Sequence, residues 1–120
     1  MNRFCKEKIE RVLDTANEGI ISDDLFAVIY SLGRDAANAE EYDYAINILE
    51  RLSKHSSISV ISMVILAYSL LAVYHGHLER EKVEPVIQQA WAAADGIERT
   101  RIRDATEDIN CALKWDINLS

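Results

Sequence analysis

An all-α fold is predicted for this chain, with about six helices arranged as antiparallel pairs that form either a short α-solenoid or an irregular helical bundle. Three observations carry the prediction. Four glycines and one proline in 120 residues are few for a sheet protein, which needs tight turns at short intervals, and sufficient for a set of helices. Apolar residues recur at i, i+3 and i+4 almost from end to end, the spacing that places them on one helical face. The longest apolar run, Ile58 to Tyr74, has 14 apolar residues in 17, a length suited to one buried helix. Hydrophobic residues at 49% and charged residues at 28% match the globular average, which excludes a disordered or low-complexity chain. Such a length makes one domain, residues 1 to 120, which buries roughly 65–70% of its unfolded surface.

The elements follow in order. Phe4, Cys5, Ile9, Val12, Leu13 and Ala16 form the face of a first helix running to about Glu18, with Gly19 placed as a left-handed C-cap. Ser22 with Asp23 and Asp24 starts the second, because the hydroxyl accepts a free amide and the carboxylates suit the positive end of the helix dipole. Its face is Leu25, Val28, Ile29, Leu32 and Ala36, and Gly33, which costs ~1 kcal/mol relative to Ala in a helix, marks a close helix crossing. The run Asn38-Ala39-Glu40-Glu41 opens the third helix, on Tyr42, Ala45, Ile46, Leu49 and Leu52. His55-Ser56-Ser57 caps the apolar fourth. After His75-Gly76-His77, read as an exposed loop, the fifth covers Glu79 to Asp95, its true start placed near Lys82 so that Pro85 falls in the first turn. Asp95-Gly96 ends it, and Thr100 to Lys114 forms the sixth on Ile102, Ala105, Ile109, Ala112 and Leu113.

The fourth helix imitates a membrane span but falls short of one. Seventeen residues rise about 25 Å, against a hydrocarbon core of about 30 Å. Ser59, Ser62 and Ser69 interrupt it and no Lys/Arg cluster flanks it, so it is read as the central helix of a soluble domain, with no membrane partner. The stretch Met1-Asn2-Arg3-Phe4-Cys5-Lys6-Glu7-Lys8 has no apolar run after its positive charges, so the expected compartment is the cytoplasm. There, Cys5 and Cys111 are expected as free, largely buried thiols.

A weak internal repeat adds a unit length. A shift of 41 residues lays Ile46, Leu49 and Leu52 over Ile87, Ala90 and Ala93, and Ile61, Val64, Tyr68, Leu71 and Ala72 over Ile102, Ala105, Ile109, Ala112 and Leu113. A period near 40 with two helices per unit is that of HEAT and armadillo arrays, and the first two helices make a third, diverged unit.

Signals for catalysis are missing. The chain has no Gly-rich phosphate loop, no Gly-x-Ser-x-Gly elbow, no His-Glu-x-x-His and no Cys-x-x-Cys. His75 and His77 stand two apart, a spacing that points them in different directions on a helix, with no cysteine nearby to complete a metal set. The expectation is a protein that is not an enzyme and has no cofactor and no metal.

The charge is more informative. The net charge is −7, which argues against a nucleic-acid partner, since affinity for phosphate backbones comes from Lys and Arg displacing counterions. From Val12 to Glu50 there are nine acids (Asp14, Glu18, Asp23, Asp24, Asp35, Glu40, Glu41, Asp43, Glu50) and one base, Arg34, so this segment holds −8 and the rest of the chain +1. Helix-start carboxylates and a solvated face account for part of it; like charges so concentrated also repel, a cost that a cationic partner would relieve. Asp104, Glu107 and Asp108 form a second acidic face, with Arg101 and Arg103 in range for intrahelical pairing.

The segment "AINILERLSKHSSISVISMVILAYSLLAVYHGHLEREKVEPVIQQAWAAADGIERTRIRDATEDINCALKW" resembles a HEAT-like array of helical pairs. It is also similar to small bacterial HEAT-like proteins that end in an Asp-Ala-x-x-Asp-Ile…Trp pattern, here Asp104, Ala105, Asp108, Ile109 and Trp115, preceded by Gly76-His77-Leu78 and Glu84-Pro85-Val86-Ile87. Asp95 and Arg99 match the turn Asp and the second-helix Arg of HEAT units; the preceding unit has Ser56 and Ile58 there. The resemblance implies a binding scaffold, and proteins of this size and acidity include immunity proteins of contact-dependent inhibition and related toxin systems.

The expected function is therefore that of an immunity protein, which neutralises a cognate basic toxin domain, a nuclease, by covering its active site. The expected contacts are Asp23, Asp24, Glu40, Glu41, Tyr42, Asp43 and Tyr44, with Asp104, Glu107 and Asp108 as a second face, the tyrosines serving as anchors. The alternative is a HEAT-like adaptor whose groove binds a partner helix or peptide, with the acids only solubilising it.

Overall fold

In the computed structural model, which describes residues 5–17 and 23–119, the chain forms α1 (Lys6–Asn17), α2 (Asp23–Asp35), α3 (Ala39–Leu52), α4 (Ile58–His75), α5 (Arg80–Ala93) and α6 (Gly96–Leu113). The all-α prediction holds, with no strand among the described residues. Phe4, Glu18, Gly19 and Ser22, assigned above to the ends of the first two helices, lie outside those residues.

The helices form two layers. In one, α4 lies between α2 and α6; α1, α3 and α5 pack on the other side, each against the helix that follows it. The inner layer is parallel and in a constant register. His75 Nε2 lies 2.8 Å from the Ala36 carbonyl, the Ser59 hydroxyl donates to Glu98 at 2.8 Å, and Arg101 donates to the Ser62 hydroxyl at 2.9 Å. All three pairs are 39 residues apart, so the unit length expected from the repeat appears here as a contact spacing. The 41-residue shift lays α3 end to end on α5.

Helix α4 is apolar on most of its surface because neighbours cover most of it: Val60, Val64, Ile65, Ala67 and Leu71 are fully buried, while Val73 and Tyr74 near its end are exposed. It is the one helix among the described residues long and apolar enough to cross a membrane, and 56% of it is buried inside the fold. Ser57 caps its start, accepting from the Val60 amide, and Gly76 at φ 69° ends it in the left-handed region. Gly33 on α2 allows the close crossing that its position suggested. A Cβ there would stand 2.6 Å from the Ala67 carbonyl oxygen and 2.9 Å from the Ala67 Cα. The radius of gyration is 13.4 Å, close to the ~13.6 Å expected of one compact domain of this length.

Four expectations need correction. Helix α5 begins at Arg80, so Pro85 falls in its second turn, where the missing N–H leaves the Glu81 carbonyl without its helical partner. The Arg80–Glu84 ion pair, 2.7 Å at i,i+4, holds the added turn. Helix α6 begins at Gly96 and not Thr100; α5 has already ended at Ala93, so Asp95-Gly96 opens a helix instead of closing one. His75 is the half-buried last residue of α4 and not part of an exposed loop. Cys5 and Cys111 are free as expected but exposed: Cys111 lies on the side of α6 opposite Ile102 and Ile109, and Cys5 precedes α1.

One element was not foreseen. After Lys114 the chain turns back over the end of the α5–α6 pair. Asn110 brackets Ile117, accepting from its amide (3.0 Å) and donating to its carbonyl (2.9 Å), while Gln88 donates to the Asn118 carbonyl. Ile117 is buried by this turn, and Arg80 lies over the Trp115 ring.

Candidate functional site

The two layers differ in how closely their helices approach. α4 is in direct contact with both α2 and α6, whereas α3 and α5 do not meet and share only α4 beneath them. A groove opens between them. Its main cavity, about 420 Å³, has Tyr42, Ile46 and Glu50 on the α3 wall, Val83 and Val86 on the α5 wall, and Tyr68 of α4 as its floor. A second cavity of about 120 Å³ continues it past Ser53, Val86 and Gln89 to Ile58 and Ile61.

The groove is apolar with one polar point at its floor. Tyr68 is 3% exposed, and its hydroxyl has no hydrogen-bond partner among the described residues. Burial, then the charge of Glu50, pushes this phenol well above its ordinary pKa, so it is a neutral donor and acceptor. Tyr42 closes one end of the groove: its hydroxyl donates to the His77 carbonyl at 2.7 Å, and its ring lies 5.0 Å from that of His75. Burial, then Glu79 and Asp43, also raises the Tyr42 pKa. On the rim, Lys82 is paired with Glu79 at 3.4 Å. Asp43, Glu50 and Lys54 have no ion pair among the described residues.

Of the residues expected to bind a partner, the structure brings Tyr42 and Asp43 into this groove and assigns several others to the scaffold. Glu41 is a helix cap: its amide donates to Asn38 Oδ1 at 2.9 Å and its carboxylate accepts the Ala37 amide at 2.8 Å. Glu40 pairs with Lys6 at 3.3 Å, and the Tyr44 hydroxyl donates to Glu10 with Lys6 over its ring, so both tie α3 to α1. Asp23 and Asp24 are exposed at the start of α2, one helix length, roughly 20 Å, from the Asn38 turn.

Asp104, Glu107 and Asp108 are exposed on the side of α6 turned away from α4. The expected intrahelical pairs do not form: Arg101 reaches Ser62, while Arg99 and Arg103 lie over the Trp91 ring at 3.9 and 5.3 Å. Because α2 and α6 stand on opposite sides of α4 and do not touch, the two acidic sets do not form one patch. No group of three His, Cys, Asp or Glu side chains among the described residues is placed to hold a metal ion.

Comparison of the chain with protein-family models, curated proteins and solved structures finds no match. The functional reading therefore rests on the geometry and the charge. Sequence reasoning had placed Ile46 and Tyr68 in helical patterns without a site role, had named Val86 only at the opening of the fifth helix, and had not singled out Val83. The concentration of acids in residues 12 to 50 was the signal that pointed toward the α3 rim.

Proposed function

We propose that this chain is a non-catalytic binding protein for a basic protein partner, acting as immunity proteins do by covering the partner's phosphate-binding site. The supporting observation is the set of carboxylates left without counter-ions. Asp14, Asp23, Asp24, Asp43 and Glu50 have no ion pair among the described residues, and they come from the one segment that holds the chain's net charge. Such uncompensated charge costs stability through self-repulsion, steers a cationic partner during encounter, and is relieved on binding. A nuclease surface lined with Lys and Arg to hold phosphate is the complementary partner.

The test is capture of the partner over a salt series, followed by growth rescue with charge-reversed variants. Asp23→Lys, Asp24→Lys and Asp43→Lys combined are expected to weaken binding more than tenfold at low salt and to abolish rescue. A partner without basic surface, or binding insensitive to both salt and charge reversal, would refute this reading. The α3–α5 groove favours the adaptor as the second reading; binding lost on filling the groove but indifferent to salt is its signature.

A further inference from the structure

The groove between α3 and α5 has the length of a short helix. Its two walls are 14 residues each, about 21 Å at 1.5 Å per residue, and its two cavities run together past Ser53, Val86 and Gln89. A compact small molecule would fill the 420 Å³ section and leave the remainder of an open trough. An elongated occupant fits the whole. Tyr42, Ile46 and Glu50 on one wall and Val83, Val86 and Ala90 on the other recur at three and four residues, the ridges that a helix laid between them would engage.

The polar groups define the charge of that occupant. Glu50 and Asp43 on the α3 side outnumber the one lining cation without an ion pair, Lys54 just past the end of α3, and Lys82 opposite is already paired with Glu79, so the lining carries net negative charge. Tyr68, 97% buried by its 3% exposure, presents an unpartnered hydroxyl beside Glu50. A phenol oxygen accepts from an N–H donor, and the Tyr42 and Tyr68 rings offer faces to a cation. We propose that this groove receives an amphipathic helix of the basic partner, its apolar stripe on Ile46, Val83 and Val86, with one Lys or Arg reaching down to Glu50 and Tyr68. This rests on the reading of a basic protein partner and specifies where and by what element that partner docks.

The test uses a display library of 16-residue helix-forming peptides selected on the full chain, with affinities measured by fluorescence anisotropy and the site mapped by ¹H–¹⁵N shifts. Enriched peptides are expected to carry apolar residues at i, i+3, i+4 and i+7 with a central Lys or Arg, and to shift the amides of α3 and α5. Ile46→Lys should weaken them more than tenfold. Tyr68→Phe, which keeps the ring in the core and removes only the hydroxyl, should weaken them about fivefold at unchanged melting temperature. Absence of enrichment, enrichment of acidic or extended peptides, or indifference to both substitutions would overturn the proposal.

The two proposals fail separately. If a captured basic partner is lost on reversing Asp23 and Asp24 yet tolerates Ile46→Lys and Tyr68→Phe, the function stands and the groove assignment is wrong. Selected peptides that occupy the groove when no salt-sensitive partner is captured support the groove and overturn the function.

Discussion

Replacing Gly33 by Ala is a demanding test of the α2–α4 crossing, because local and tertiary effects have opposite signs. In an isolated helix the change is worth ~1 kcal/mol in favour of Ala. In this fold the new Cβ meets the Ala67 carbonyl oxygen at 2.6 Å, the Ala67 Cα at 2.9 Å and the Leu70 Cβ at 3.0 Å. Two of these are backbone atoms of the central helix and cannot rotate away. Relief requires α2 to move off α4, loosening Val28, Ile29 and Leu32, which are buried in the same core. Overpacking of this kind costs up to about 3 kcal/mol, so subtracting the propensity gain leaves a net loss of about 2 kcal/mol. Unfolding entropy near 2.1 cal/mol/K per residue gives about 0.25 kcal/mol/K for this length, hence a melting temperature about 8 °C lower. Differential scanning calorimetry reads the shift, and a urea titration with unchanged slope assigns it to stability. A variant as stable as the parent, or more stable, would refute the close crossing and with it the packing of the inner layer.

Further outcomes follow from the same contacts. Asn38→Ala removes the acceptor for the Glu41 amide and should cost ~1 kcal/mol, whereas Glu41→Gln, which still accepts the Ala37 amide, should leave both stability and partner binding nearly unchanged; urea denaturation and the capture assay check the pair. Both thiols should react with a chromogenic thiol reagent in the native state, giving two equivalents without denaturant, since Cys5 and Cys111 are exposed. The Asp116 carboxyl is held below its ordinary pKa, first by the hydrogen bond from Arg80 and then by the Arg80 charge. A depressed folded-state value means that this contribution to stability is present above the ordinary carboxylate pKa and is lost as the pH falls through the lowered one. Carboxyl NMR titration should show the depressed value in the parent and its return toward the ordinary range in Arg80→Gln. Glu98 should respond in the same way to Ser59→Ala, because the Ser59 hydroxyl is the largest cause of its lowered pKa.

Much of the scaffold was legible because its signals are local. Asn38 and Glu41 mark the start of α3 through side-chain and amide chemistry within four residues, and Ser57 does the same for α4. The shift of 41 maps α3 onto α5 because both helices fill one role in successive units. One error arises where a dipeptide carries the composition of the opposite signal: Asp95-Gly96 reads as a helix stop, yet with α5 already closed at Ala93 it starts α6. The thiols were misplaced by residue type, although Cys111, two residues beyond the buried Ile109, falls on the opposite helical face by period alone. Tyr42 and Asp43 could be picked out by charge and chemistry. Tyr68 could not, because periodicity identifies a core-facing residue without telling whether the helix above it is present or displaced. That depends on the separation of α3 and α5, which no residue pattern encodes locally.

The position of α4 governs how the chain can come apart. In a long solenoid each unit touches only its neighbours, so end units can melt while the middle survives. Here one helix is the shared floor of all the others except α1. Peeling away either end pair strips a large part of the cover from a helix with Val60, Val64, Ile65 and Leu71 fully buried and puts that surface into water. Partial melting is therefore penalised at both ends, and a chain assembled from repeated pairs loses its structure as one cooperative unit.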